Sequence, residues 1–239
     1  NEAGANLLNG IASSIIANTN LTGRLSFDAA IFEVDERNVE LALKEINPHA
    51  ILLLNIFRDQ LDRYGEVNMV LKDWGEALSD VDSDTFLFTN GDDPALSYLA
   101  KKSGLTTFLF GIDKKLMTRD SIGHDVDFIY CPNCQTKLDY KKVSFSHMGD
   151  FICPKCKFKR ENAETTKITQ YPLSGTYNIY NTNAAALVAS KAFNVGDKEI
   201  NKSLIDFKAA FGRQEVIKYK GRDVLILLSK NPAGFNQNI

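Results

Sequence analysis

Residues 50–66 read Ala-Ile-Leu-Leu-Leu-Asn-Ile-Phe-Arg-Asp-Gln-Leu-Asp-Arg-Tyr-Gly-Glu. Residues 50–54 form an unbroken apolar run, too short for a free-standing helix. The run predicts a strand buried on both faces, in the middle of a parallel sheet. It stops abruptly in Asn55, Arg58, Asp59, Gln60, Asp62 and Arg63. Polar groups at the carboxyl end of a buried strand stand where open α/β sheets place their ligands. The plainer reading is a polar loop leaving the core. A second stretch, residues 27–36, reads Phe-Asp-Ala-Ala-Ile-Phe-Glu-Val-Asp-Glu. It predicts another buried strand, ending in Glu33, Asp35 and Glu36. Two neighbouring strands that deliver acids to one sheet edge would suit Mg²⁺ and phosphate, because Mg²⁺ takes a few carboxylates together with water and substrate phosphate.

Outward from these stretches, strand and helix patterns alternate. Apolar periodicity predicts helices over 7–18, 36–46 (stopping before Pro48), 67–78 (Trp74 on the packed side) and 94–102. Strands are predicted at 27–34, 50–55, 85–89 and 106–111. Such alternation implies a mainly parallel, wound sheet flanked by helices, with right-handed crossovers. The pattern breaks over 112–130. After that come a returning strand at 163–171 and an Ala-rich helix at 177–193. A further helix runs from an Asp197 N-cap to 211, and a hairpin spans 218–229 with its turn at 219–223.

The chain has 239 residues, 44% hydrophobic and 24% charged, enough for one large domain or a domain with an insertion. A net charge of −2 gives no general pull toward nucleic acid or anionic membrane. No run has the length of a membrane span, and the first residues lack a signal-peptide layout. Both ends break off without a terminal element, so the chain is expected to be an excerpt of a longer, cytoplasmic protein.

All four cysteines fall in one unit: Cys131-Pro-Asn-Cys134 and, after eighteen residues, Cys153-Pro-Lys-Cys156. Four thiolates satisfy tetrahedral Zn²⁺ and leave no open position, so a structural zinc ribbon over 131–161 is expected. The competing reading is two disulfides, which a reducing compartment disfavours. The unit carries seven Lys/Arg and three acids. Four thiolates on Zn²⁺ add about two negative charges, leaving a weakly basic surface. That surface is read as solvated or protein-contacting rather than as a nucleic-acid site. The three histidines, His49, His124 and His147, are scattered, and His147 is expected to be exposed.

Five motifs, in order along the chain, resemble those of the Mur ligases. Residues 58–62, Arg-Asp-Gln-Leu-Asp, resemble the family's Arg-Asp-His-Leu-Asp. Glu33-Val-Asp-Glu36 resembles its acidic metal-binding strand end, and Asn90-Gly-Asp-Asp-Pro94 its Asn-Ala-Asp-Asp turn. Residues 175–186 resemble its Gly-x-x-Asn-x-x-Asn-x-x-Ala-Ala segment, and Gly212-Arg-Gln-Glu215 its Gly-Arg-x-Glu. The resemblance implies a Mur-ligase central domain over 1–130 and 162–221. The ribbon would be inserted at 131–161, and a linker or the start of a C-terminal domain would occupy 222–239.

It also implies ATP-dependent amide-bond formation through an acyl phosphate, in peptidoglycan synthesis. Glu33 would hold Mg²⁺, with Arg58, Asp59 and Gln60 beside the chemistry. Asn178 and Asn181 would lie near the adenine, and Arg213 and Lys230 near the phosphates. Helix capping remains open for the two asparagines, and a surface salt bridge for Arg213. The cysteine ribbon, the 58–66 segment and residues 230–237 point to the branch of the family that amidates the D-glutamate carboxylate of lipid II at the membrane surface. That branch uses ammonia from a glutaminase subunit, GatD. Alternatives are an amino-acid-adding or folylpolyglutamate-type ligase, or a non-catalytic zinc-ribbon binding module.

The sequence departs from the family at three points. Gln60 stands where the family has a Mg²⁺-binding His. The family's carbamylated lysine has no match at the right spacing, Lys72 being the nearest. No phosphate-binding Gly-Lys-Thr/Ser loop occurs in the chain. Without that cradle the chain by itself is expected to bind ATP weakly and to catalyse nothing.

Overall fold

The computed structural model describes residues 6–25, 27–57, 66–123, 126–207 and 215–227. Three parallel strands form the centre: β1 (Ala50–Leu53), β2 (Phe86–Asn90) and β3 (Thr106–Phe110), in the order β1-β2-β3. Helices α1 (Leu8–Ala17) and α2 (Val39–Glu45) precede β1, α3 (Glu66–Ser79) links β1 to β2, and α4 (Pro94–Ser103) links β2 to β3. The helix–strand alternation read from the sequence is thus present. Side-chain alternation along β2 feeds two separate cores. Leu87 joins Ile51, Leu53, Trp74, Leu78 and Leu96 on one face. Phe88 joins Phe110, Met148, Tyr180, Ala184 and Leu187 on the other. The second face is covered by α5 (Thr176–Phe193), whose alanines let a helix lie close to the phenylalanines.

Several expectations need correction. β1 is not buried on both faces: Ile51 and Leu53 are buried, but Leu52 is 38% exposed. β1 lies at the edge of the described sheet, and its second face is only partly covered: Ala50 packs against the second core, whereas Leu52 is exposed. Residues 27–34 form no regular strand, and Ile31 is 82% exposed. A strand needs a ladder partner, whereas this segment is held by point contacts further on. Asp35 N–H donates to Asn6 O (2.9 Å), and Trp74 Nε1–H donates to Glu36 O (2.8 Å).

Residues 163–171 likewise form no strand. Asn201 on α6 (Asp197–Ile205) takes the place of a ladder. Its Oδ1 accepts from Thr169 N–H and Oγ1–H, and its Nδ2 donates to Lys167 O, all at 2.7 Å. α6 is capped by Gly196 rather than Asp197 and ends at Ile205, short of the expected 211. The final hairpin pairs β6 (Glu215–Tyr219) with β7 (Arg222–Ile226) through a tighter turn than read, Lys220-Gly221. Both turn residues have positive φ (49° and 75°), as a two-residue hairpin loop of the right twist requires.

The cysteine unit is built on a second hairpin, β4 (Asp139–Phe145) and β5 (Met148–Ile152). Its outer end has its own small core of Leu138, Phe151, Phe158, Cys131 and Cys153. Its inner end does not: Phe145 and Met148 belong to the second core of the sheet.

Candidate functional site

The carboxyl edge of the parallel sheet divides into two parts. At the end of β2, Asn90-Gly-Asp-Asp-Pro94 turns directly into α4. Asp93 is the N-cap, its Oδ1 accepting from Ala95 N–H (2.8 Å) and Leu96 N–H (3.3 Å), with Pro94 in the first turn. Asp92 points the other way, into the space between sheet, hairpin and α5. Its Oδ1 accepts from Arg160 Nε–H at 2.5 Å. Its Oδ2 accepts from Tyr180 O–H (2.7 Å) and Ile112 N–H (3.1 Å). Arg160 also donates to Ile112 O (2.9 Å), and Ser144 Oγ lies 2.8 Å from the Tyr180 hydroxyl.

Asp92 is fully buried and Arg160 nearly so. Burial pushes the Asp92 carboxyl above the usual carboxylate range, opposed by the Arg160 charge and the three donors. Burial and the Asp92 charge together push the Tyr180 phenol up. Glycine is required on two sides of this joint. A Cβ on Gly111 would come within 2.6 Å of Asp92 Oδ1, and one on Gly149 within 2.4 Å of Lys142 O. Both Asp92 oxygens are committed to protein donors, so this part of the edge is a sealed structural joint rather than a ligand rim.

The other part lies where β1 runs out through Ile56 and Phe57. Here His147, expected to be exposed, is completely buried. The hairpin turn explains the difference: Ser146 adopts a positive φ of 46°, and Tyr140 O–H donates to His147 O (2.9 Å). The ring packs between Phe57 (centroids 5.2 Å apart) and Phe128 (5.4 Å). His147 Nε2 lies 3.3 Å from Asp93 Oδ2, the oxygen that Asp93 does not use for capping.

The residues read from the sequence fare unevenly. Glu33 is exposed on the irregular 31–35 segment. Arg58, Asp59, Gln60, Arg213 and Lys230 lie outside the described residues. Asn178 and Asn181 sit one turn apart at the start of α5, the first buried and the second exposed. Asn178 is not the cap, which is Gly175. Its Nδ2 donates back to Ser174 O (2.7 Å) and fastens the entry loop to the helix. Asn183, which the sequence reading passed over, donates to Gly111 O (2.7 Å) and accepts from Tyr171 O–H (3.0 Å), tying α5 to the end of β3. The Asp93-Pro94 capping signal was available locally. The Asp92–Arg160, Asp92–Tyr180 and Asp93–His147 pairs had no local signal, because their partners are 54 to 88 residues apart.

The four cysteines are all free thiols, and their sulfurs lie within 4.8 Å of one another. Cys131 and Cys156 sulfurs are 3.6 Å apart, and those of Cys134 and Cys153 are 3.5 Å apart. A tetrahedron with Zn–S bonds of about 2.3 Å has edges of roughly 3.8 Å, so the cluster fits that ion. The two knuckles repeat one design. Gln135 N–H donates to Cys131 O (2.8 Å), Lys157 N–H to Cys153 O (3.1 Å), and both donor residues have positive φ. Burial pushes the Cys131 thiol up to about 12. Asn133 and the Phe158 N–H hold Cys156 down at about 6, and Thr136 lowers Cys134. A bound dication would favour the thiolate at all four.

Known proteins resemble this arrangement. A family model for the Mur ligase middle domain matches residues 16–189. The MurT subunit of lipid II isoglutaminyl synthase (glutamine-hydrolyzing) from Streptococcus pneumoniae is 31% identical, with all of this chain aligned to 56% of that protein. The Staphylococcus aureus MurT subunit is 28% identical over the same shares. The chain therefore spans about half the length of the curated relatives it matches. Among solved structures, a pseudomurein peptide ligase type C from Methanothermus fervidus superposes with a TM-score of 0.65 and 26% identity. That match covers 84% of this chain and 43% of the other. MurF from Acinetobacter baumannii shares the fold at a TM-score of 0.50 and 15% identity, covering 83% and 38%. The wound parallel sheet and the family match over most of the chain agree: this chain belongs to the Mur ligase middle-domain family.

Proposed function

We propose that the chain is the central part of an ATP-dependent carbon–nitrogen ligase. This ligase converts the D-glutamate α-carboxylate of the lipid II stem peptide to the amide of D-isoglutamine. The observation that carries the reading is that the whole chain, cysteine-ribbon residues included, aligns to about half the length of MurT subunits. A carboxylate is a poor electrophile. The γ-phosphoryl group of ATP passes to one of its oxygens, giving an acyl phosphate. Ammonia from a GatD-type glutaminase subunit then attacks the carbonyl carbon and expels phosphate. In such a reaction the protein positions groups and neutralises charge.

Within this chain Glu33 supplies the exposed carboxylate for Mg²⁺, and Asn181 the exposed amide near the nucleotide. Asn178 serves by holding the entry to α5. Arg58, Asp59 and Gln60, which follow β1 in the sequence, are assigned to the chemistry, and Arg213 and Lys230 to the phosphates. The sheet and helices (1–130 and 162–221) act as the nucleotide domain, the ribbon (131–161) as a zinc-bearing insertion, and 222–239 as the path to a further domain. The cytoplasm, where ATP and the inner face of the membrane meet, is the proposed location. No helix among the described residues is long and apolar enough to cross a membrane.

The test uses the longer protein with its glutaminase partner, ATP, Mg²⁺, glutamine and lipid II. Mass spectrometry of the stem peptide should show conversion of the carboxyl to the amide, dependent on glutamine or on free ammonia. Attachment of an amino acid instead, or no change with every component present, contradicts the reading. Glu33→Gln should raise the Mg²⁺ concentration for half-maximal rate by about tenfold or more, since a neutral amide is a poorer ligand for a hard cation.

A further inference from the structure

The geometry points to His147, at the tip of the ribbon hairpin, as a positioning residue that fixes the outgoing end of β1 at Phe57, the residue before Arg58 in the sequence. This inference rests on the ligase reading for its catalytic consequence but not for its structural content. A solvated ribbon has no reason to send a histidine into the core, yet His147 is completely buried 54 residues away from its partner Asp93.

Three elements meet on its ring. Phe57, the last described residue before Arg58, lies on one side at 5.2 Å and also approaches Phe145 of the hairpin at 6.0 Å. Phe128, from the loop entering the ribbon, lies at 5.4 Å. The Asp93 carboxylate, fixed at the start of α4 by two N–H groups, meets the ring nitrogen. Ser146 Oγ lies 3.4 Å from the other ring nitrogen. β1 has few restraints of its own at this point. It is an edge strand of the described sheet, its ladder ends at Leu53, and Leu54 is 38% exposed. Ile56 reaches the first core, while Phe57 packs against the second and has its ring contacts with Phe145 and His147 of the hairpin. The ribbon thus acts as a brace. Its base is bolted to the sheet by Arg160 and Asp92, and its tip holds Phe57 through His147.

The test compares His147→Ala, His147→Gln and a control, Tyr98→Leu, in the longer protein with its partner. Tyr98 packs edge-on against Phe158 at the outer end of the ribbon, remote from the tip. The first readout is hydrogen exchange of the amides at 54–57. His147→Ala should speed it by about tenfold or more, the loss of one buried bond and its packing, whereas Tyr98→Leu should not. His147→Gln, which places an amide near the Nε2 position, should restore much of the protection. The second readout is amidation kinetics, where His147→Ala should lower kcat with little change in KM for lipid II and Tyr98→Leu should leave kcat unaltered.

Unchanged exchange at 54–57 in His147→Ala overturns the proposal. So does an equal rise in Tyr98→Leu, which would mean general destabilisation. If His147→Ala does not fold, His147→Gln and His147→Phe decide the question. Phe keeps the ring but not the polar contact, and exchange at the wild-type rate in both would also overturn it. A protein that shows the exchange pattern but never amidates lipid II refutes the proposed function and leaves the brace standing.

Discussion

The ribbon has two ends built on opposite principles. The outer end gathers four sulfurs in two identical turns around a small private core. The inner end has no ligand set and no core of its own. Phe145, Met148, His147 and Arg160 are inserted into the sheet's core and its polar joint. The outer end therefore carries a ligand set that would tie its stability to a metal, whereas the inner end depends on the host domain and cannot be loosened without disturbing it. An insertion of this kind is an appendage at one end and a structural member at the other.

Cys131→Ser should break the outer end with the largest effect. Elemental analysis should fall from one zinc per chain to none, forfeiting much of a structural site's roughly 10–16 kcal/mol of apparent binding free energy. Hydrogen exchange should rise at the knuckles while the hairpin tip stays protected, and equal loss at both ends would erase the distinction. The same dependence should appear with pH. Cys156 is held down at about 6 without a metal, and a bound dication favours the thiolate further. Zinc release followed by a chromogenic chelator should therefore set in only below that value, as protons displace the ion from the thiolates.

The inner end should respond to Arg160→Ala, which leaves the buried Asp92 carboxylate without its cation. The expected cost is about 3–5 kcal/mol in chemical denaturation. The double variant Asp92→Asn/Arg160→Met should recover a substantial part, because it removes both charges. Tyr180→Phe deletes one donor to Asp92 and the contact to Ser144, for about 1–3 kcal/mol. Zinc content should be unchanged in these inner-end variants. If it falls with them, the two ends form one cooperative unit.

The same contrast explains what the sequence disclosed. The knuckles were legible because Cys-Pro-x-Cys is a local signal and four-fold sulfur coordination leaves little choice of chemistry. β2, β3, α3 and α5 were legible from apolar run length and helical period. β1 was found, but its exposure was not, since a run of leucines looks alike at the edge and in the middle of a sheet. Residues 27–34 and 163–171 had strand-like composition without a strand partner, and pairing is a property of the whole fold. His147 was misjudged for a related reason. A histidine between lysine-rich stretches reads as surface, and only the hairpin's positive-φ turn and the distant Asp93 and Phe57 bring it inside. Of the proposed site, Glu33 and Asn181 are exposed as ligand-binding groups need to be. Asn178 is buried and fastens the entry of its own helix.

The most direct test of the account follows the oxygens of the substrate. Lipid II carrying a heavy oxygen isotope in both positions of the D-glutamate α-carboxylate is incubated with the longer protein, its glutaminase partner, ATP, Mg²⁺ and glutamine. Activation through an acyl phosphate predicts that one labelled oxygen leaves in inorganic phosphate while the other stays in the new amide. Amide formed with no label in phosphate, or phosphate released with the carboxylate intact, would contradict the account.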